Sequence, residues 1–385
     1  CVLDRKYKED LSLVMDGMEH TLTSRHPQTR YSAGWDAKLF FIPVSYLPTR
    51  HADVIFYGAS LKPDKALAMW HYLMGLVGLW TLLRLIRERQ VVSHLQDKHV
   101  FITGCDSGFG NLLARKLDRR GMKVLAACLT EKGAEELRNN TSKRLETVIL
   151  DVTKTESIVA ATQWVKERVG NRGLWGLVNN AGISIPSTLN AFLKKEDFAK
   201  ILDVNLLGVI EVTLNMMSLV RKAKGRVVNV SSILGRLCLF GGGYCISKYG
   251  VEAFSDSIRR ELSYFGVKVA IIEPGFFQTA ISSSDRHLSH SKMLWDQTSS
   301  EVKEIYDEKF LSSYETRIKL LDKLSSKDLS LVTDCMEHAL TSCHPRTRYS
   351  AGWDAKLFYI PVSYLPTRLA DVILFWTSTK PENTL

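Results

Sequence analysis

The chain has 385 residues, of which 45% are hydrophobic and 24% are charged. This composition excludes collagen-like, disordered and short disulfide-linked classes, and the length is sufficient for one large domain or two ordinary ones. Lys and Arg exceed Asp and Glu by 51 to 41. That excess suits an anionic membrane surface or nucleic acid, but charge alone selects neither. Because no motif combines aromatic with basic residues, we expect no nucleic-acid partner. The odd count of 7 cysteines favours free thiols.

The N-terminal segment is repeated at the other end of the chain. Residues 10–63 align without a gap on residues 328–381, and 42 of the 54 positions are identical. The offset between the copies is 318, and residues 69–385 number 317. We therefore interpret residues 1–68 as a surplus segment, the tail of a close relative joined to the front of a complete chain by gene fusion or by an error in the gene model.

An apolar segment follows this junction. Residues 66–83, ALAMWHYLMGLVGLWTLL, contain no formally charged side chain and are followed by Arg84, Arg87 and Arg89. A membrane-spanning helix needs about 20 apolar residues, and interfacial aromatic and basic residues suit its ends. The pattern predicts an N-terminal membrane-anchor helix over 69–89. A buried core helix is the alternative.

From Lys98 onward, short apolar runs alternate with helical stretches. We predict strands over 99–104, 123–129, 145–153, 174–182 and 225–232. We predict helices over 111–121, 134–144 and 201–217. This alternation predicts an α/β fold, a Rossmann-type doubly wound parallel sheet with helices on both faces. We assign residues 97–280 to this Rossmann-type domain, and residues 281–385 to a lid and C-terminal region.

The first predicted strand runs into a glycine-rich loop, TGCDSGFG, at residues 103–110. Glycines between a strand and a helix let the backbone approach a pyrophosphate at the positive end of that helix. The predicted cofactor-binding residues of this loop are Gly104, Ser107, Gly108, Phe109 and Gly110.

Cofactor selectivity is usually determined where the second strand ends. Here that position is near Cys128 and Leu129, which are neither acidic nor basic, and the lack of a phosphate partner favours NAD over NADP. Asp151 follows the third strand and is a candidate for the adenine edge, although it also suits a helix cap.

Further along, a strand ending in Asn179-Asn180-Ala181-Gly182 precedes a long helix that carries Asn205. The next strand ends in two serines, and Ser232 lies twelve residues before Tyr244 of a YxxxK motif that ends in Lys248. In this order the motifs resemble the short-chain dehydrogenase/reductase family. The flanking sequences are similar to the subgroup of microsomal retinol dehydrogenases and 17β-/3α-hydroxysteroid dehydrogenases.

The resemblance implies a set of roles. Tyr244 would be the base, Lys248 its activating cation, Ser232 the group that binds the substrate oxygen, and Asn205 the residue that holds a water next to the lysine. It extends the cofactor-binding set to residues in NNAG, YxxxK and EPG. These are Asn179, Ala181, Gly182, Tyr244, Lys248, Pro274 and Gly275.

Simple chemistry agrees with these roles. Tyr244 and Lys248 are four residues apart, so they share a helix face, and a cation lowers a phenol pKa from its usual value near 10. The family spacing more often selects Ser231 than Ser232. We prefer Ser232 because it aligns with the strand end.

The subgroup resemblance implies NAD-dependent oxidation of a lipophilic alcohol, retinol or hydroxysteroid, at the endoplasmic reticulum membrane. Apolar residues between Phe276 and Lys327 suit a lid over such a substrate, unless they simply pack on the sheet. We leave undecided whether the chain forms a homo-oligomer. The histidines lack metal-ligand spacing, so we expect no metal site. The alternative function is that of a catalytically silent relative that only binds a lipid or a partner. The predicted lid residues are Phe276, Phe277, Leu288, Met293, Leu294, Trp295 and Tyr306.

Overall fold

The computed structural model describes residues 63–185, 188–279 and 281–375, with the side chains of 63–71 and 73 left out. The predicted surplus segment, apart from its last residues, therefore lies outside the described residues. The described chain divides into two units, of which the larger contains residues 85–363. The smaller contains residues 63–84 and 364–375.

The larger unit is built on one parallel sheet of seven strands in the order β3-β2-β1-β4-β5-β6-β7. The strands are β1 His99–Thr103, β2 Lys123–Cys128, β3 Leu145–Ile149, β4 Gly176–Asn179, β5 Arg226–Val230, β6 Lys268–Pro274 and β7 Arg348–Ala351. The predicted doubly wound parallel sheet is confirmed. Its last strand comes from the region that we assigned to the lid and the C-terminus.

Helices cover both faces of this sheet, and each face has its own apolar core. Helices are numbered along the described residues of both units, and most of the first helix and all of the last belong to the smaller unit. The first helices are α1 Pro63–Glu88, α2 Gly108–Arg119, α3 Glu131–Asn139, α4 Thr155–Val169, α5 Lys195–Leu202 and α6 Gly208–Lys222. The later ones are α7 Gly243–Ser263, α8 Ser284–Gln297, α9 Ser300–Ile305, α10 Glu308–Leu324, α11 Ser330–Thr341, α12 Ile360–Ser363 and α13 Thr367–Phe375.

Two predicted helices have different bounds in the structure. Helix α3 begins at Glu131 because the Thr130 side chain caps it by accepting the N–H of Gly133 at 3.1 Å. The predicted helix over 201–217 is longer, since α5 and α6 are joined by a π-helical turn over Asp203–Leu207. This turn interrupts the 3.6-residue period of an α-helix, so the spacing of the apolar residues predicts only part of the segment.

Helix α1 exposes its apolar side chains. Tyr72 is 77% exposed, Trp80 is 53% exposed, and Arg84 lies over the Trp80 ring at 5.4 Å. The helical stretch Lys195–Lys222 is long and apolar enough to cross a membrane by length and composition alone. That stretch packs against α4 and α7, so it belongs to the core of the larger unit.

The ends of β1 and β4 are joined by one hydroxyl. The Oγ1 atom of Thr103 accepts the N–H groups of Asn180 and Ala181, both at 3.0 Å. Thr103 is 2% exposed, so water cannot replace this acceptor. The hydroxyl therefore fixes the start of the loop that follows β4.

We predict that Thr103→Val lowers the free energy of unfolding by about 2 kcal/mol, because it leaves two buried N–H groups without an acceptor. Denaturant unfolding of the detergent-solubilised protein measures the change. Thr162→Val is the matched control, since its hydroxyl bonds only to the Ile158 carbonyl of its own helix at 2.8 Å. Equal stability of both variants would contradict the prediction.

Candidate active site

A cavity of about 460 Å³ opens at the carboxyl edge of the sheet. This volume is within the usual range for small-molecule sites. Most of the residues predicted from the sequence line it. They are Gly104, Ser107, Gly108, Phe109, Asp151, Ala181, Gly182, Ser232, Tyr244, Lys248, Pro274 and Gly275.

The glycine-rich loop forms one end of the cavity. Gly104 has a φ of 70° and Gly108 a φ of 62°, a backbone conformation that favours glycine. A side chain on Gly110 would come within 2.4 Å of the Gly104 carbonyl oxygen, which explains the third glycine although it does not line the cavity. The space beside Gly108 is open.

Helix α2 begins at this loop with its first N–H groups uncapped by a side chain. Its N-cap residue, Ser107, is extended and makes no side-chain cap hydrogen bond. The N-terminus of a helix carries partial positive charge and attracts phosphate groups. The open space beside Gly108 and this uncapped N-terminus fit the pyrophosphate of a dinucleotide.

Tyr244 and Lys248 lie in the first two turns of α7. Burial raises the pKa of Tyr244 to about 12, although a hydrogen bond with the Ser232 side chain opposes this shift. The Lys248 ammonium is 5.6 Å from the centre of the Tyr244 ring and donates to the Val230 carbonyl at 2.9 Å. Burial lowers the pKa of Lys248 to about 8. The chain therefore places a lysine that can lose its charge near neutral pH beside a buried phenol.

The two serines at the end of β5 have different surroundings. The Ser232 side chain makes the hydrogen bond with Tyr244 and accepts the N–H of Leu234 at 3.1 Å. The Ser231 hydroxyl instead donates to the Lys248 carbonyl at 3.4 Å. Of the two, Ser232 is the serine next to the phenol.

Asn205 lies in the π-helical turn, and its amide is bonded within the protein. Its Oδ1 accepts the Ile183 N–H at 2.8 Å, while Nδ2 donates to the Ile183 carbonyl at 2.8 Å and to the Ser247 hydroxyl at 3.2 Å. We expected this residue to hold a water beside the lysine. In the structure its side chain ties the loop after β4 to α7.

Asn179 lies outside the cavity lining. Its Nδ2 donates to the Thr213 hydroxyl and to the Asn229 Oδ1, both at 2.8 Å, inside the sheet. The next residue, Asn180, lines the cavity and donates to the Gly104 carbonyl at 3.0 Å. Alternation of side chains along the strand explains why adjacent asparagines point to different places.

An acidic side chain lies at the end of β2, where we expected none. The Asp106 carboxylate accepts the N–H groups of Leu129 at 2.8 Å and Thr130 at 3.0 Å, and it lines the cavity at the end of β2. It comes from the glycine-rich loop, not from β2, so reading the residues at the strand end could not find it. Cys128 itself is fully buried.

Asp151 makes its main contacts with its own turn. Its carboxylate accepts the hydroxyl of Thr153 at 2.7 Å and the N–H of the same residue at 3.0 Å. These hydrogen bonds, first that of the hydroxyl, lower its pKa. The N-cap residue of helix α4 is Lys154, so Asp151 is not the cap of that helix. Asp151 stabilises the turn before the helix and also lines the cavity.

The predicted lid residues divide into two groups. Phe276 and Phe277 line the cavity. Trp295 and Tyr306 instead contact the Phe192 ring, with centroid distances of 5.4 and 5.7 Å, and form a small separate core with Leu294. This second group packs around Phe192, in a cluster that contains no strand residue, and not on the sheet.

His287, a histidine to which we gave no role from the sequence, lines the cavity. Its Nε2 lies 3.1 Å from the Ser184 hydroxyl, and burial lowers its pKa. It lies on α8, far in the chain from the other cavity residues, so no local motif indicates that it lies over the sheet edge. No group of three metal-ligating side chains occurs in the part of the chain that the structure describes.

Comparison with known proteins agrees with this geometry. Residues 98–289 match the model of the short chain dehydrogenase family. The chain is 78% identical to retinol dehydrogenase 16 of Mus musculus over 317 residues, which cover 82% of this chain and 100% of that protein. It is 64% identical to 17-beta-hydroxysteroid dehydrogenase type 6 of Homo sapiens over 313 residues, 81% of this chain and 99% of that protein.

Solved structures show the same fold. A short-chain dehydrogenase from Streptomyces avermitilis has a TM-score of 0.57 at 23% identity, covering 72% of this chain and 96% of that one. A short chain dehydrogenase/reductase from Burkholderia phymatum, in complex with NAD, also scores 0.57 at 21% identity, covering 74% and 98%. With relatives this similar over their whole length, and with the glycine turn, Ser232, Tyr244 and Lys248 around one cavity, the chain belongs to the short-chain dehydrogenase family.

Proposed function

We propose that this protein oxidises a lipophilic secondary or allylic alcohol, a retinol or a hydroxysteroid, to the carbonyl, in a reversible reaction that uses a nicotinamide dinucleotide. The observation that carries the proposal is the placement of Ser232, Tyr244 and Lys248 on one cavity that also opens onto the glycine turn. The names of the similar proteins, retinol dehydrogenases and hydroxysteroid dehydrogenases, support the substrate class. They do not favour a catalytically silent binding protein.

The cofactor fits the residues present. The uncapped N-terminus of α2 and Gly104, Ser107 and Gly108 would hold the pyrophosphate, while Pro274 and Gly275 line the cavity near Tyr244 and Lys248. When bound, the dinucleotide supplies a hydride acceptor at its nicotinamide ring. The cavity is also lined by Phe276, Phe277 and residues of α10, which suits an apolar substrate.

The chain's own residues perform the proton transfer. Tyr244 takes the hydroxyl proton of the alcohol as the carbon loses its hydride, and Ser232 hydrogen-bonds the same oxygen. Because burial raises the pKa of Tyr244 to about 12, the phenol requires a neighbouring positive charge to act as a base near neutral pH. Protonated Lys248 supplies one.

We predict that Tyr244→Phe lowers kcat by a factor of at least about 10²–10⁴, because it removes the group that takes the proton. Dinucleotide binding, measured by fluorescence, should be retained. Tyr264→Phe is the control, since this tyrosine follows the end of the same helix and is 90% exposed. Retention of more than about a tenth of wild-type kcat would exclude Tyr244 as the base.

We propose NAD as the preferred dinucleotide. The Asp106 carboxylate lies at the end of β2, where the 2′ position of the adenosine ribose binds in this type of fold. A carboxylate accepts hydrogen bonds from ribose hydroxyls and repels a 2′-phosphate. Leu129, beside it, is 59% exposed and lines the cavity without offering a positive charge.

We predict that Leu129→Arg moves the ratio of kcat/KM for NAD over NADP toward NADP by about tenfold, since arginine is a strong partner for phosphate. Leu129→Gln, long but neutral, is the control. Substitution at Cys128 is unsuitable because this side chain is buried. A wild-type protein that preferred NADP a hundredfold would contradict the assignment.

We also propose that α1 anchors the protein in the endoplasmic reticulum membrane. From Met74 to Ile86, large apolar side chains on every side of this helix are between 47% and 72% exposed. A helix that is apolar all round belongs in a protein core or in a membrane. Helix α1 is 26 residues long, which is sufficient to span the hydrocarbon core.

Residues 1–68 are proposed to be a surplus segment. The length of the match to mouse retinol dehydrogenase 16, 317 residues, equals the length of residues 69–385 and supports this division. We predict that deletion of 1–68 leaves kcat/KM in microsomes within a factor of about two and leaves membrane retention unchanged. A loss of about tenfold, which is about 1.4 kcal/mol, would make the segment an integral part of the enzyme.

A further inference from the structure

A buried ionic cluster lies behind the catalytic residues. Three carboxylates from two elements surround a single guanidinium, that of Arg348 on β7. Glu252 and Glu273 are 7% and 2% exposed, respectively, so the charges are largely removed from water. Isolated charges in such a place are costly unless they are paired. The charged members are Glu252, Asp256 and Arg259 on α7, Glu273 on β6, Arg348 on β7 and Arg236 after β5.

Arg348 holds Glu252 and Asp256 more closely than Glu273. Its Nη2 lies 3.0 Å from the Glu252 Oε2 and 2.8 Å from the Asp256 Oδ2. Its Nε lies 3.6 Å from Glu273 Oε1, which is also 3.4 Å from Arg236 Nη1. Arg348 therefore pairs mainly with the two carboxylates of α7, and its ion pair with Glu273 is longer and weaker.

The Glu252 side chain reaches the underside of the turn that carries Ser232. A side chain on Gly235 would come within 2.7 Å of Ser231 Oγ, 3.0 Å of the Lys248 carbonyl and 3.1 Å of Glu252 Cγ. The turn thus packs directly against Glu252 with no spare room. Glu252 also follows Lys248 by one helical turn, so the two side chains share a face of α7.

The charge of Glu252 acts on Lys248. Burial lowers the pKa of Lys248, and the Glu252 carboxylate is the charge that opposes this shift. Burial raises the pKa of Glu252 to about 7, and repulsion by Glu273 adds to it. The Ser231 side chain and the guanidinium groups of Arg348 and Arg236 oppose this rise.

We propose that Glu252, held by Arg348, is a positioning residue of the active site that keeps Lys248 protonated and supports the turn carrying Ser232. This inference rests on the proposed function, because it is the charge of Lys248 that would activate Tyr244. It assigns to strand β7, which is distant in sequence from the YxxxK motif, a part in catalysis without contact to the substrate.

The direction of the effect follows from the signs of the charges. Above pH 7 Glu252 is ionised and raises the pKa of Lys248, so the ammonium persists to higher pH. Below that pH Glu252 is neutral and has little influence. Removing this carboxylate should therefore lower the pH at which Lys248 loses its proton and move the alkaline limb of the kcat/KM profile to lower pH.

The test compares Glu252→Gln with wild type in the full chain, solubilised from microsomes. The pH dependence of Lys248 acylation by acetic anhydride, read by peptide mass spectrometry, measures the lysine pKa without turnover. We expect its midpoint to fall by about 0.5–1 pH unit, as for loss of one nearby charge, together with the alkaline limb of kcat/KM. Glu261→Gln, exposed on the same helix, is the control and should change neither quantity.

A second pair of variants tests the same inference if E252Q does not fold, as judged by dinucleotide binding. Arg348→Gln should lower the Lys248 midpoint, because Glu252 then ionises less readily, and Arg348→Lys should restore it in large part. An unchanged Lys248 midpoint in a folded E252Q or R348Q protein overturns the inference. Absence of turnover in the wild type with every alcohol would instead overturn the proposed function, and the acylation measurement would still decide the role of Glu252.

Discussion

The hydrogen bond from the Lys248 ammonium to the Val230 carbonyl, 2.9 Å long, is the interaction on which the arrangement of the site depends. It joins the first turns of α7 to the carboxyl end of β5. Because Tyr244 lies one turn before Lys248 and Ser232 two residues after Val230, this single bond brings the phenol and the serine together. Burial of this ammonium lowers its pKa, which makes the charge of Lys248 sensitive to its surroundings.

The fold and the reacting side chains could be predicted from the sequence because their signals are local. Apolar runs of five or six residues between helical stretches identify buried parallel strands. Tyr244 and Lys248 are four residues apart on one helix, so their proximity follows from helical geometry alone. The choice of Ser232 over Ser231 used the same kind of argument, the end of a rigid strand, and the structure puts Ser232 next to Tyr244.

What sequence reasoning missed depends on contacts between distant segments. Asp106 reaches the end of β2 from the preceding loop, and His287 reaches the cavity from the lid. The residues that flank Asp106 and His287 in the sequence form no pattern that predicts these contacts. The difference between Asn179 and Asn180 has a local origin, since side chains alternate along β4 and it is Asn180 that lines the cavity.

The π-helical turn between α5 and α6 has a consequence for the rest of the helix. The Asp203 carbonyl accepts the N–H of Gly208, five residues on, where a regular α-helix would use the fourth. Each such wide turn delays the helical rotation by about one residue position. The apolar stripe of α6 is therefore out of phase with that of α5, so that the first part can face α7 while the second faces the sheet. One extra residue in the π-helical turn therefore allows one continuous helix to pack against two neighbours that lie in different directions.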